Sequence, residues 1–462
     1  MRGLTEKRDT ILEVLRKRSV SEIRASISDL APNEIASLIP TISTPEDRAL
    51  LFRVLPREIA TETFEYLPHR DQKELTESLA NEEVALILES MADDDRTRFF
   101  EELPSGVAQR LLLLLSESER RKATLLLGYP EDSVGRLMTP HYVMVRPHWT
   151  VQQALEHIRK FGKDSETLTM VYVVNERGVL IDDIRMRLFL LASPETRVTD
   201  LMNNRFVALK ATDSQEDAVS VFREADLPAL PVTDADGALI GVVTADDILD
   251  IAEQEATEDI QKFGGLEALE LPYVETPFLS LIKKRAGWLV ILFIGEMLTA
   301  SAMGYFEHEI AQAVVLALFV PLIISSGGNS GSQAATLVIR AMALKEISLR
   351  DWFWVIRREI FSGLSLGIIL GSIGYLRITL WQKLGFFNYS EHWPLVALTI
   401  FLSLVAIVMW GTVSGSMIPF VMRRVGLDPA TSSAPFVATL VDVTGIVIYF
   451  SIAAIVLRGT LL

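Results

Sequence analysis

Five apolar runs, all downstream of Arg285, decide most of what this chain can become. They cover about 286–306, 313–337, 359–382, 393–421 and 434–457. A hydrocarbon core about 30 Å thick is crossed by roughly 20 apolar residues in helical form. Core helices of soluble globules are seldom both this long and this apolar. The sequence therefore predicts a membrane portion of five helices over residues 283–462.

Charge divides the chain at the same place. Apolar residues make up 49% of the sequence, yet its net charge is −16. Residues 286–462 hold nine acids and ten bases, which leaves 51 acids and 34 bases upstream. An acidic polar portion is thus joined to a nearly neutral apolar one. So acidic a front half repels nucleic acid and anionic surfaces. With no cysteine, disulfides, thiolate metal sites and a cysteine nucleophile are excluded. The six histidines show no HExxH spacing. The start, MRGLTEKRDTILEVLRKR, has no apolar stretch, so no cleaved leader is expected.

Basic residues set the expected orientation. Ten flank one side of the spans: Lys283, Lys284, Arg285, Arg340, Lys345, Arg350, Arg357, Arg358, Arg423 and Arg424. Only Arg377, Lys383 and Arg458 fall on the other. The acidic portion is expected in the cytoplasm and the carboxyl terminus outside.

Polar groups within spans are costly and mark a cavity or a partner. Glu296 lies in the first span and Asp442 in the fifth, with no mid-span Lys, Arg or His to pair with either. Each is read either as a structural hydrogen-bonding group or as a cation ligand. The segment SSGGNSGSQAAT (325–336) is expected to break the second helix. Its Gly327, Gly328 and Gly331 suit close packing or a water-lined path, and Asn329 suits interhelical bonding or that same path. Gly411 and Gly415 form a small-xxx-small packing face. Carboxylate, amide and carbonyl oxygens together suit a hard cation such as Mg2+, which gives up its water reluctantly.

Residues 1–130 are expected to form a small α-solenoid of helices about 10–14 residues long. Leu55-Pro56, Leu67-Pro68 and Leu103-Pro104 place proline in first turns. The run Asp93-Asp94-Asp95 is either a solvated helix start or an acidic knot. Residues 137–257 contain an internal repeat. Leu137-Met138 and Leu201-Met202 lie 64 residues apart, and after a five-residue difference Gly178-Val179-Leu180-Ile181 matches Gly237-Ala238-Leu239-Ile240. Each copy reads strand, helix, strand, glycine turn, strand, helix.

With its LMTP opening and GVVTADDIL segment, this repeat resembles a pair of CBS modules, copy one over 137–199 and copy two over 200–257. Many such pairs bind adenine nucleotides, with a Thr-x-x-Asp at the ribose. Thr244 and Asp247 match that in copy two; copy one lacks the threonine. An acidic stretch follows, with Asp250, Glu255, Glu258 and Asp259 running into a connecting helix placed at 258–282.

Taken whole, the chain resembles the MgtE-type magnesium channels. The likeness is carried by EATEDIQKFGG (255–265), PLIISSGGNSGSQAATLVIRA (321–341), DPA (428–430) and PFVATLVDVTG (435–445). The resemblance implies a helical superhelical N domain, an α/β CBS pair, a connecting helix and five transmembrane helices, in a homodimer of the plasma (inner) membrane whose pore lies on the two-fold axis. It implies Mg2+ as substrate, held hydrated by Asp442, with Gly328 and Asn329 at the pore border and Glu296 as a further candidate. It also implies regulatory Mg2+ that closes the gate, for which Asp95, Glu216, Asp226, Asp247, Asp250, Glu255, Glu258 and Asp259 are the fitting positions. ATP at the CBS pair stays optional, because Leu188 stands where an acid is expected. Two other readings remain: a divalent-cation transporter coupled to Na+ or H+, and a membrane-anchored nucleotide sensor. No nucleophile–base set or phosphate loop points to an enzyme.

Overall fold

The computed structural model describes residues 11–15, 17–269, 273–274, 276–389 and 391–461. Residues 1–10, where no leader is expected, and parts of the 258–282 connector lie outside the described residues. The chain divides into two units, Met1–Ala252 and Glu253–Leu462.

The first unit begins with short helices, among them α1 (Arg57–Glu65), α2 (Asp93–Glu101) and α3 (Glu117–Leu126). The helices between Val20 and Leu126 run seven to ten residues, shorter than the 10–14 expected from the sequence. Prolines explain the difference. Pro56, Pro68 and Pro104 sit at the N-cap, one residue before each helix, rather than in its first turn. There proline needs no N–H, and its carbonyl accepts the first helical bond, as Pro56 does from Ala60 at 2.8 Å. Each of these helices then starts late, and the two that follow Pro56 and Pro68 pack on helices two along the chain. Isoleucine, leucine and phenylalanine fill the shared core.

The repeat folds as two matching modules. Strands β1 (Met144–Val145), β2 (Met170–Val174) and β3 (Leu180–Arg185) form one sheet, with α4 (Val151–Phe161) between β1 and β2. Strands β4 (Leu209–Lys210), β5 (Ala229–Thr233) and β6 (Leu239–Thr244) form the other, with α5 (Gln215–Ala225) placed likewise. In each sheet the first two strands are parallel and the last two antiparallel. β2 and β5 are buried along their whole length, and of their residues only Thr233 is neither apolar nor aromatic. The modules meet symmetrically: Leu180 N–H donates to Gly237 O at 3.1 Å, and Leu239 N–H donates to Gly178 O at 3.0 Å. Both turn glycines have φ near +80° (+82° and +81°), a conformation L side chains rarely adopt.

Helix α6 (Ala245–Phe263) starts directly from β6 and is unbroken for 19 residues. The acidic connecting helix is therefore the last helix of copy two, extended. Non-helical residues follow at 264–269, and α7 (Phe278–Tyr305) then begins.

In the second unit, α7, α8 (Val320–Ala343), α9 (Trp352–Lys383), α10 (Trp393–Arg424) and α11 (Ala434–Val456) are each long and apolar enough to cross a membrane. Helix α9 begins seven residues before the apolar run and takes in Arg357 and Arg358. Such side chains lay apolar stems along the helix and hold their charge toward water; Arg358 lies over the Trp354 ring at 5.3 Å.

The expected break at 325–336 is absent, because α8 is helical through all of it. The glycines are there for contact. A Cβ on Gly327 would stand 2.5 Å from Ile407 Cγ2, and one on Gly331 would stand 2.9 Å from Gly411 O. A Cβ on Gly411 or Gly415 would in turn collide with the Gly327 or Gly331 carbonyl. The two helices cross backbone to backbone, and packing supplies what glycine costs in helix propensity.

Candidate functional site

In the membrane unit the polar residues gather around α8 and α11. Asp442 is half-buried on α11. A Cβ built on Gly328 would stand 3.4 Å from Ala438 Cβ and 3.5 Å from Asp442 Oδ1. Gly328 thus leaves its side of the carboxylate open. Glu296 is exposed on α7, next to Gly295, where a Cβ would stand 2.9 Å from Thr439 Cγ2 of α11; the structure brings Asp442 and Gly328 together and leaves Glu296 on the adjoining helix. Asn329 is exposed one residue on, its amide 3.4 Å from Ser325 Oγ. Neither Asp442 nor Glu296 has an ion-pair partner among the described residues. Trp410 Nε1 donates to Thr444 Oγ1 at 2.8 Å and ties α10 to α11 near Asp442.

At one end of this unit, Lys262 Nζ donates to Asp428 Oδ2 at 2.8 Å and also pairs with Glu258. Burial works against the ammonium, but these two carboxylates outweigh it and hold Lys262 above its ordinary pKa. Glu258 is therefore engaged by a lysine, and the DPA segment by the acidic helix. Glu255 and Asp259 are half-buried on the same helix.

In the first unit, acids from three separate segments converge. α2 supplies Asp94 and Asp95, the segment before β2 supplies Glu166, and α6 supplies Asp247. Burial, then the neighbouring charges, pushes Asp94 well up. Asp95 rises to about 6, mainly through burial, with Asp247, Glu166 and Asp250 adding to it and Arg98 opposing. Burial likewise raises Glu166 and Asp247. Glu65, at the end of α1, is pushed up to about 7 by burial although Ala92 N–H donates to it at 3.0 Å. Beside the cluster, Asp93 pairs with buried Arg96 and lies 3.0 Å from His141 Nε2. Arg98 Nη1 is 3.4 Å from Asp250 Oδ2.

Asp93, Asp94 and Asp95 form the first turn of α2, and Asp93 and Asp94 are buried there rather than solvated. Among the described residues, no group of three or more His, Asp or Glu side chains is arranged to hold a metal ion. Glu216 and Asp226 are exposed at opposite ends of α5, about 15 Å apart at 1.5 Å per residue. Thr244 Oγ1 donates to Asp247 Oδ2 at 2.5 Å, which joins the two Thr-x-x-Asp residues to each other.

Several residues of these sites were not read from the sequence. The regulatory positions legible in the sequence include Asp95 but not Asp94 beside it. Glu65 and Glu166 gave no local signal, because only the fold brings them to α2. The stripe Gly363, Gly367, Gly371 and Gly374 was also missed. A Cβ on Gly367 would stand 2.7 Å from Val405 Cα, and one on Gly371 2.9 Å from Phe401 O. The four-residue spacing of the first three, visible in FSGLSLGIILG, was the available signal.

A CBS pair ahead of five membrane helices, with carboxylates inside those helices that have no ion-pair partner among the described residues, defines a multidomain integral membrane protein with a soluble amino-terminal portion. Family models match most of the chain: a divalent cation transporter model at 320–452, the MgtE intracellular N domain at 30–132, and CBS domains at 134–187 and 198–253. The chain belongs to the MgtE family. It is 40% identical over 351 residues to the magnesium transporter MgtE of Thermus thermophilus, with 76% of each chain covered. It is 32% identical to that of Bacillus subtilis, with 73% of each covered. A solved cytosolic domain of the Mg2+ channel MgtE in complex with ATP matches with a TM-score of 0.51 at 31% identity, over 53% of this chain and 99% of that one.

Proposed function

We propose that this protein conducts Mg2+ across the plasma (inner) membrane, with its acidic unit in the cytoplasm and its carboxyl terminus outside. The observation that carries this reading is Asp442: a half-buried carboxylate in a spanning helix, opened toward Gly328 and without an ion-pair partner among the described residues. Such a group needs a cation. A carboxylate beside backbone and amide oxygens suits a hydrated hard cation, and the relatives named above are magnesium transporters. The function is transport rather than catalysis.

Asn329 and Ser325 are exposed on α8. Polar groups facing lipid are costly, so a second copy of the chain covers this face and the ion path lies between two copies. Mg2+ uptake into proteoliposomes tests the reading. Asp442→Asn is expected to abolish uptake while the assembly stays intact, and wild-type flux in that variant would sink the assignment.

Regulation follows from the acids. Without a cation, Asp94, Asp95, Glu166 and Asp247 repel one another. Mg2+ screens them and favours the compact arrangement, and if that arrangement is closed, cytosolic Mg2+ shuts the path. This requires tighter Mg2+ binding to the closed form. Asp250, Glu255, Glu258, Asp259, Glu216 and Asp226 are further candidate ligands. ATP, if bound, would use Thr244 and Asp247 at its ribose. Its phosphates would need Mg2+ to screen them from the surrounding acids.

A further inference from the structure

A groove at one end of the membrane unit suits a ligand charged at one end and apolar along the rest. Its volume is about 530 Å3, and its walls include Trp352 at the start of α9 and Met417, Phe420 and Val421 near the end of α10. Arg350 and Arg424 also line it. Both belong to the basic side of the spans.

Neither arginine has an ion-pair partner among the described residues. Asp351, next to Arg350, is occupied by Ser348, whose N–H and hydroxyl both donate to it at 2.7 Å. Trp352 is 50% exposed and Val421 58%, so apolar surface lies open beside the two unneutralised charges. We propose that this groove binds one anionic phospholipid, its phosphodiester between Arg350 and Arg424 and an acyl chain along Trp352 and Phe420.

Charge complementarity selects this occupant. Basic pockets on the cytoplasmic side of membrane helices attract anionic headgroups, at about 1 kcal/mol per Lys or Arg. Free phosphate would leave the apolar walls in water. A second copy docking the same face would bring like arginines together. The groove also has a structural consequence. Phe420 and Met417 in its inner wall pack with Val338 and Met342 of α8. A lipid seated there braces one end of the helix that carries Gly328 and Asn329.

Native mass spectrometry of the delipidated full-length protein, titrated with phosphatidylglycerol or phosphatidylcholine, tests this. The wild type should retain phosphatidylglycerol preferentially. Arg350→Gln/Arg424→Gln should weaken that binding about thirtyfold and leave phosphatidylcholine unchanged. Arg350→Lys/Arg424→Lys should restore most of it, which separates lost charge from lost fold. Lys383→Gln/Arg458→Gln removes two charges elsewhere and should change binding less than twofold. Equal losses in both glutamine pairs, no lipid preference in the wild type, displacement by inorganic phosphate alone, or a changed oligomeric state with unchanged lipid counts would each overturn the proposal.

Discussion

Lys262 Nζ and Asp428 Oδ2 stand 2.8 Å apart and join the acidic helix α6 to the turn that precedes α11. Both side chains are only partly exposed, 28% and 37%, so the pair is less screened than a surface one. We expect Lys262→Met to lower the thermal midpoint of the detergent-solubilised protein. A double-mutant cycle with Asp428→Asn should return a coupling of about 1 kcal/mol. Additive effects would mean that the contact contributes nothing to stability.

Glycine supports the membrane unit only where a backbone approaches it. Gly367→Ala places a methyl against Val405 Cα and the Val405 carbonyl, so α9 and α10 must separate. Overpacking of this kind costs roughly 1–3 kcal/mol. Gly304 is also helical, but nothing lies within 4 Å of a Cβ there. Gly304→Ala should be neutral or stabilising by up to about 1 kcal/mol. Unfolding of both variants in the same micelles checks the contrast, and equal effects would refute the packing account.

This contrast marks how far the sequence could be read. Membrane helices were legible because their signal is length and apolar composition, both local. The repeat was legible because its copies share an offset, 64 residues before the loop difference and 59 after, which β2–β5 and β3–β6 obey. The helicity of 325–336 was not legible. Glycine-rich segments break helices unless another backbone arrives, and the arrival of Gly411 and Gly415 is a tertiary event. The same holds for the acids. Asp442 stood out because a charge in an apolar run is conspicuous. Glu65 and Glu166 look like ordinary surface carboxylates until the fold carries them toward α2.

The raised acids make stability depend on pH in a definite direction. Glu65 titrates near 7 in the folded chain and Asp95 near 6, each above its unfolded value of about 4. Between those values the folded state binds more protons than the unfolded one, so stability falls as pH rises from about 4 to 7. Without Mg2+, the thermal midpoint of the first unit within the full chain should decline over that window. On the proposed regulation Mg2+ takes the place of the lost protons, and it should then raise the midpoint more at pH 7.5 than at pH 5.5. A Mg2+ effect independent of pH would separate these carboxyls from the ion.

Asp94 offers the sharpest test of the acidic cluster. Its carboxyl is buried, and Oδ1 has no hydrogen-bond partner. Burial and the charges of Asp247 and Asp95 both oppose its ionisation. Asn keeps the shape and removes the charge. Asp94→Asn should therefore stabilise the Mg2+-free protein at pH 7.5, by about 1 kcal/mol or more as an uncompensated buried charge is lost. It should also shrink the further stabilisation by Mg2+, because one carboxylate that the ion would neutralise is gone. Limited proteolysis of residues 93–96 and 246–264 with and without Mg2+ reads both effects. The variant should resist cleavage without the ion and gain little from it. If it is cleaved as fast as the wild type and protected by Mg2+ to the same degree, Asp94 has no part in sensing.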